Sequence, residues 1–584
     1  MKSAPDAATW WQRTTVYQVY PRSFFDSNGD GIGDLPGIVD KLDYLRDLGI
    51  ETLWLCPFFK SPQRDLGYDI SDYYDVAPEY GSRDDVRRLI DCAHARGMRI
   101  ILDMVMNHTS DQHPWFQESR SSKSNPRRDY YIWRPGRKPR GGAPPNNWRS
   151  LVGQRGWHYD PTTEEWYFAS FLPFQPDLNY RNPAVADAML DVVRHWLAQG
   201  FDGLRLDVFH AIFKDASFAD NPFSTRLLPS EDNPDGFLQQ FSQTLHHPDT
   251  LVFARRLRQV VDEFKDPPRF LVGEVFGPPA MLRRYCDGGD GLHSVFLFKA
   301  LRTEFSSEAF RELIQEFERE FPAPLCPTYV FGNHDRPRRG ERVGHHPLKE
   351  KLLTALQLTV RGIPFVYYGE EISMRNHDLP LRSALDPIAH IYGFVPGALS
   401  RALRRRGVLL NRDEVRTPMQ WTDTDNAGFT GSQAQPWLPI DASYTTANVA
   451  RALSDPASLL CCYRRLLRLR ASEPALQSGS LAVYPVAQLP PNILGFRRAD
   501  RDRWLDVLFN FTDSEQPVNV PGHRPTVLFS TYAEPGPTYG RHYVLRPYEA
   551  IVAQVLADSK LSPSPPSPTL LSSNTPPRPV PASK

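Results

Sequence analysis

The chain has 584 residues, of which 41% are hydrophobic, 12% aromatic and 23% charged, the balance of an ordinary globular protein with room for a large barrel and additions to it. Its 68 Lys and Arg equal its 68 Asp and Glu, so the formal charge is zero, which excludes a nucleic-acid binder driven by bulk basic charge. No window approaches about 18 uninterrupted apolar residues, the start MKSAPDAATWWQR has no apolar signal core, and six scattered cysteines suit neither a disulfide framework nor a metal spacing, so a cytoplasmic protein with reduced thiols and no membrane span is expected.

In chain order, residues 15–20 (TVYQVY) read as a first strand. A helix follows from Asp34 as N-cap, with Pro36 in its first turn, Ile38, Leu42 and Leu45 on one face, and Gly49 closing it. Residues 51–56 (ETLWLC) form the second strand, Ser82 starts a helix carrying Val86, Leu89, Ile90 and Ala93, and 99–105 (RIILDMV) is the third strand. The rhythm pauses over 106–180, a stretch rich in Asn, Pro, Arg, Trp and Tyr with a β-prone piece at 165–169, which reads as an inserted subdomain. It resumes with a helix at Asn182-Pro183, then strands at 203–208, 270–275, 293–298, 328–331 and 363–367.

Continuous apolar strands alternating with amphipathic helices imply a parallel sheet buried on both faces. Eight such units predict an α/β fold, a (β/α)8 TIM barrel, with its site at the C-terminal strand ends. An open doubly wound sheet shares the alternation, but its GxGxxG signal after the first strand is absent. The predicted organisation is therefore a barrel over 1–105 and 181–479, a subdomain over 106–180, a C-terminal antiparallel β-sandwich over 480–557, and a disordered Pro/Ser-rich tail over 558–584. Segments 503–511 and 548–556, short and β-prone, support the third of these.

Polar residues end the strands. Strand three runs into Asp103, Asn107 and His108, strand four carries Arg205 and Asp207, strand five ends at Glu274, and strand seven leads to Asn333, His334 and Asp335. Carboxylates on apolar strands are expensive to bury without partners, and so many at one end of one barrel point to chemistry rather than to separate buried ion pairs. Two carboxyl groups flanking one bond are the equipment of glycoside hydrolysis. Arg205, two residues before Asp207 on a strand, shares its side and is expected to lower the pKa of Asp207, while neighbouring carboxylates push Glu274 up, as suits a general acid. Asp335 is a third carboxylate able to hold sugar hydroxyls and sustain developing positive charge. Among aromatic platforms Trp54, Tyr68, Phe168 and Phe174 are candidates; Trp54, inside a strand, reads as core, and Tyr68 is the better platform.

DMVMNH (103–108), GLRLDV (203–208), GEVF (273–276) and FGNHD (331–335) together resemble, in order, the four signature regions of the α-amylase family of glycoside hydrolases, family 13. GDLPGI (33–38), QPDLN (175–179), GIPFVYYGEEI (362–372) and RTPMQW (416–421) are similar too, the second and last to the oligo-1,6-glucosidase and α-glucosidase branch, and the resemblance covers residues 14–555. It implies a retaining double displacement with Asp207 as nucleophile, Glu274 as acid/base and Asp335 as transition-state stabiliser. It also implies that His108, Arg205 and His334 line the subsite of the sugar being cleaved, and that Asp69 and Arg416 grip the terminal glucose, which means exo action on short oligosaccharides. Val208, after the nucleophile, resembles branch members that favour α-1,6 over α-1,4 bonds; GEVFGPP and His210 depart from the oligo-1,6-glucosidase pattern. A transglycosidase or sugar isomerase forming isomaltulose or trehalose shares all these residues, and a non-catalytic binding subunit is the remaining alternative.

The loop DSNGDGIGD (26–34) offers oxygen ligands at Asp26, Asn28, Asp30, Asp34 and the Ile32 carbonyl, resembling half of a calcium loop. A structural Ca2+ or Mg2+ is expected there; the alternative is a plain turn with Asp34 as helix cap. The expected partner is a small oligosaccharide, not nucleic acid or membrane, with the chain a monomer or weak homo-oligomer.

Overall fold

All eight apolar runs form strands in one parallel sheet: β1 (Val16–Val19), β2 (Thr52–Leu55), β3 (Arg99–Val105), β4 (Gly203–Asp207), β5 (Phe270–Gly273), β6 (Ser294–Val295), β7 (Thr328–Val330) and β8 (Ile363–Tyr367). The structure is a computed structural model that describes residues 9–137, 142–519, 523–534, 538–539 and 542–556. The hydrogen-bonded order β6-β5-β4-β3-β2-β1-β8-β7 places every strand beside its neighbour in sequence. Side chains close the circle between β6 and β7: Ser294 Oγ donates to the Cys326 carbonyl at 2.9 Å, and Thr328 Oγ1 accepts from Leu297 N at 2.9 Å and donates to the Val295 carbonyl at 3.0 Å. The run at 293–298 is shorter than expected because the chain bends into a helical turn at Phe298–Leu301.

Strand alternation divides the core. Val16, Trp54, Ile101, Val272, Phe296 and Phe365 fill the barrel's interior, whereas Leu53, Ile100, Leu102, Leu204 and Leu206 face the surrounding helices. Trp54 is core as expected, 1% exposed, with its indole N–H donating to Asp103 at 3.1 Å. Asp34 caps the helix Leu35–Asp40 through Gly37 N, and Ser82 caps the helix Arg83–Ala95 through Asp85 N.

The 106–180 stretch carries a helix (Pro114–Ser121) and a three-stranded antiparallel sheet of Trp133–Arg134, Trp157–Asp160 and Glu165–Phe168, packed on Ile132, Trp148, Trp157 and Phe168. Phe168 thus belongs to this core and is no sugar platform, and Phe174 lies under the Arg64 guanidinium, 3.9 Å from its ring centre. Beyond residue 479, β9 (Ser480–Val483), β10 (Ile493–Asp500), β11 (Arg503–Asn510), β12 (His523–Ser530) and β13 (Ala550–Leu556) form an antiparallel sheet in the order β9-β10-β11-β13-β12. A second sheet of Gln516–Asn519, Thr538–Tyr539 and His542–Leu545 packs on it through Leu508, Val518, Tyr543, Leu545 and Ile551. The tail at 558–584 lies outside the described residues. Among the described residues no helix is long and apolar enough to cross a membrane.

Candidate active site

Strand register assembles the charged cluster. Arg205 and Asp207 are two apart on β4 and so share the inward side. Asp103 on β3 is the register partner of Arg205. On the other flank Gly273 of β5 pairs with Leu206, which puts Glu274, the next residue, level with Asp207. Backbone bonds pin that junction: Glu274 N donates to the Leu206 carbonyl at 2.8 Å and Phe209 N to the Glu274 carbonyl at 2.9 Å. One guanidinium then holds all three acids. Arg205 Nη1 lies 2.7 Å from Asp103 Oδ1 and 2.8 Å from Asp207 Oδ1, and Nη2 lies 2.5 Å from Glu274 Oε2. Asp207 and Glu274 are therefore neighbours on one rim, each held by a different Nη atom of the same guanidinium.

Burial reverses one electrostatic expectation. It pushes the Asp207 carboxyl well above its ordinary range; Arg205 opposes this without prevailing, and the charges of Glu274 and Asp103 reinforce it. Burial likewise pushes Asp103 up to about 6 against Arg205. Three carboxylates crowd one cation, so Asp207 and Asp103 hold their protons to higher pH than free carboxyls do. Asp335 behaves oppositely. Burial works against its charge, but His334, Arg416, Arg412 and Arg336 together hold it well below the usual carboxylate range.

His334 is buried and held well below its ordinary value, hence neutral. Gln18 Nε2 lies 2.7 Å from its Nδ1, which leaves Nε2 to carry the proton toward Asp335 Oδ2 at 3.1 Å and Tyr68 Oη at 2.8 Å. Tyr68 stacks on this imidazole with 2° between the rings, and its hydroxyl also donates to Asp103 at 3.0 Å. His108 Nε2 donates to the Tyr68 carbonyl at 3.1 Å.

These residues line a cavity of about 260 Å³. Asp207, Glu274, Asp335, Tyr68, His108 and His334 reach it, and Arg205 stands behind them. Two further expected residues do not reach it either. Asp69 is fully buried in its own loop, accepting from Ser61 Oγ at 2.9 Å and from the backbone N–H groups of Arg64 and Asp65 at 3.1 and 3.0 Å. Arg416 is equally buried, donating to the His334 carbonyl at 2.9 Å and to Asp335 Oδ1 at 2.8 Å. The cavity wall instead receives Asp65 and Arg412, each four residues earlier. Arg412 Nη2 sits 2.6 Å from Asp65 Oδ1 and 2.7 Å from Asp386 Oδ1, and Nη1 is 3.5 Å from Asp335 Oδ1. Gln175 Nε2 steadies Asp65 from the far side at 2.9 Å. The GYDI and RTPMQW loops each hold a second residue of the same charge, and only the direction of the turn decides which one faces the cavity.

Val208 follows Asp207 with φ 41° and ψ 43°, a left-handed conformation that β-branched residues avoid. The turn carries the chain away from the rim and leaves Val208 on the cavity wall. Such strain is tolerated where the surroundings impose it, commonly at functional sites.

The loop 26–34 is a run of turns braced by its own acids. Asp26 accepts from Asn28 N, Gly29 N and Gly31 N, Asn28 Oδ1 from Asp30 N, and Asp30 Oδ1 from Ile32 N. Asp34 accepts from Gly37 N, Ser27 N and Ser27 Oγ. The oxygen donors suit a hard cation, but backbone amides already engage them, and among the described residues no three His, Cys, Asp or Glu side chains converge into a preformed cage.

Comparison with known proteins agrees with this geometry. The α-amylase catalytic domain matches residues 18–479. A probable α-glucosidase of Rhizobium meliloti (strain 1021) is 39% identical, covering 88% of this chain and 92% of its own. An oligo-1,6-glucosidase of Parageobacillus thermoglucosidasius is 35% identical over 94% of this chain and 99% of its own. The crystal structure of XgtA, an α-glucosyl transfer enzyme, superposes with a TM-score of 0.84 at 36% identity, covering 94% of this chain and 100% of that one. The shared barrel, the four signature regions at its strand ends and these relatives together show that the chain belongs to the α-amylase family of glycoside hydrolases.

Proposed function

We propose that the protein is a retaining, exo-acting α-glucosidase that removes terminal α-linked glucose from short oligosaccharides, with α-1,6 bonds favoured over α-1,4. The observation that carries this reading is the pair Asp207–Glu274 on one guanidinium, facing a cup capped by Asp65 and Arg412. Asp207 attacks C1 as Glu274 gives its proton to the leaving oxygen; water then releases the glucose as Glu274 takes a proton back. Asp335, held ionised, stabilises the positive charge that develops at the ring, and His334 and His108 line the subsite of that ring. Val208 narrows the acceptor side, which is the physical basis for the α-1,6 preference. A hydrolysis panel over maltose, isomaltose, sucrose, trehalose and longer α-glucans tests the whole reading: free glucose released fastest from isomaltose is expected. Rearranged disaccharides in place of glucose would instead establish the transglycosidase or isomerase reading, which the similarity to an α-glucosyl transfer enzyme favours.

Arg412→Ala removes the cation that faces Asp65, Asp386 and Asp335 together. Hydrogen bonds to a charged partner strengthen binding by roughly 1.5–3 kcal/mol, so kcat/KM on disaccharides should fall about 10- to 100-fold. Unchanged kinetics would remove the pair from the glucose-gripping role.

The 26–34 loop is proposed to bind Ca2+ or Mg2+ on its donor chemistry alone, rearranging its amide bonds to do so. Calorimetric titration of the chelator-treated protein should give one site per chain and a raised Tm; no heat and no Tm shift would leave the loop as a turn. Cytoplasmic location, suggested by six free thiols, and a monomeric or weakly associating state belong to the same proposal.

A further inference from the structure

The cavity has two unlike ends. At the capped end Asp65, Arg412, Tyr68, His108, His334 and Asp335 are polar and mutually bonded, ready for the hydroxyls of one glucose. The rest of the wall is mostly apolar, and it draws on three separate hydrophobic clusters. Val208 and Phe237 come from one, Phe276 and Phe298 from a second, and Tyr392 and Leu410 from a third. Val208 and Phe276 flank the reacting pair directly, one residue after Asp207 and two after Glu274. The aglycone must therefore leave past these surfaces.

Polar groups are the minority on that side. Arg302 and Arg336 reach the wall with their Nε atoms on Glu231, at 2.7 and 2.8 Å, and Ser230 and Asn333 add short polar side chains. His210 stands apart from these. It is fully buried on the cavity wall, and neither ring nitrogen makes a well-formed hydrogen bond. Burial, with His246 beside it, keeps the ring neutral, so it offers one donor and one acceptor.

A second sugar placed here brings several hydroxyls to a wall that can partner few of them, and each one desolvated without a partner weakens binding. An alcohol with one hydroxyl on an apolar body matches the wall: the body buries against the three clusters, and His210 can serve one polar substituent. We propose that the aglycone side of this site selects apolar alcohols, aryl or alkyl, over a second sugar, both as leaving groups of α-glucosides and as acceptors of the glucosyl group. This rests on the α-glucosidase reading and names its aglycone class. In the transfer step the alcohol oxygen bonds to C1 as the C1–Asp207 ester bond breaks, and the alcohol's proton passes to the Glu274 carboxylate, which lost its own to the first leaving group.

The test uses the full-length wild-type chain with α-glucosyl fluoride, a donor whose small leaving group makes no demand on the aglycone side. Benzyl alcohol and glucose are offered together at equal concentration, and fluoride release and products are followed. Benzyl α-glucoside exceeding glucosyl-glucose by about tenfold or more is expected, the scale at which apolar pockets discriminate. Equal transfer, or a preference for glucose, with fluoride still released overturns the inference alone. Absence of fluoride release overturns the α-glucosidase reading and this inference with it.

Discussion

Asp207→Ala is expected to lower kcat by on the order of 10⁴- to 10⁶-fold, the scale of losing a nucleophile that works as one of a set. The variant should fold as well as the parent or better. Arg205 keeps Asp103 and Glu274 as partners, and removing one of three crowded carboxylates relieves repulsion inside the cluster. Tm is therefore expected to hold or rise while activity disappears, the trade of stability for function usual at such sites. A second readout separates loss of the nucleophile from general damage. With the carboxylate gone, azide can enter its space and attack C1 of an activated aryl α-glucoside from the same face, giving a β-linked glucosyl azide. Near-parental turnover, or azide rescue that yields the α-linked product, would take the nucleophilic role away from Asp207.

Glu274→Gln keeps shape and hydrogen bonding but cannot donate or recover the proton. A positioned general acid contributes about 10²- to 10⁴-fold, so hydrolysis of maltose or isomaltose should fall by that much. The loss should be far smaller for an aryl α-glucoside whose leaving group needs no proton, because only deglycosylation then lacks its base. That step should become rate-limiting, with a burst of released phenol and rescue by azide, here giving the α-linked product because the Asp207 ester is intact. The limb of the pH profile that reports loss of the acid's proton should vanish as well. Equal losses on both substrate types, with no burst, would place the proton elsewhere. Asp103 is the third carboxylate on the same guanidinium.

Local spacing made much of this architecture readable. Eight apolar runs separated by amphipathic helices suffice for a parallel barrel, because a strand buried on both faces has few other homes. The period of two along GLRLD puts Arg205 on the side of Asp207, and the strand-end position of Glu274 and Asp335 follows from the same logic. What spacing could not reach was direction within loops and the balance of fields between strands. SPQRDLGYDI contains Asp65 and Asp69, and NRDEVR contains Arg412 and Arg416; both members of each pair are charged alike and four apart. The fold turns Asp69 and Arg416 into backbone-bracing positions and sends Asp65 and Arg412 to the cavity, since a charge without a nearby local partner must find one across the cleft.

The electrostatics were hidden for a related reason. Sequence shows that Arg205 neighbours Asp207, but not that Asp103 and Glu274 share the same guanidinium, nor that all four side chains are nearly sealed from water. Sharing divides the cation's influence, and burial then raises Asp207 in spite of it. Residue identity and periodicity, which are local, were enough to set the fold class, the family and the acids at the rim. The partner of each charge, the solvent around it and the apolar wall opposite the glucose cup were settled only when segments hundreds of residues apart closed around one cavity, because solvation and long-range contact belong to the folded chain and not to any stretch of it.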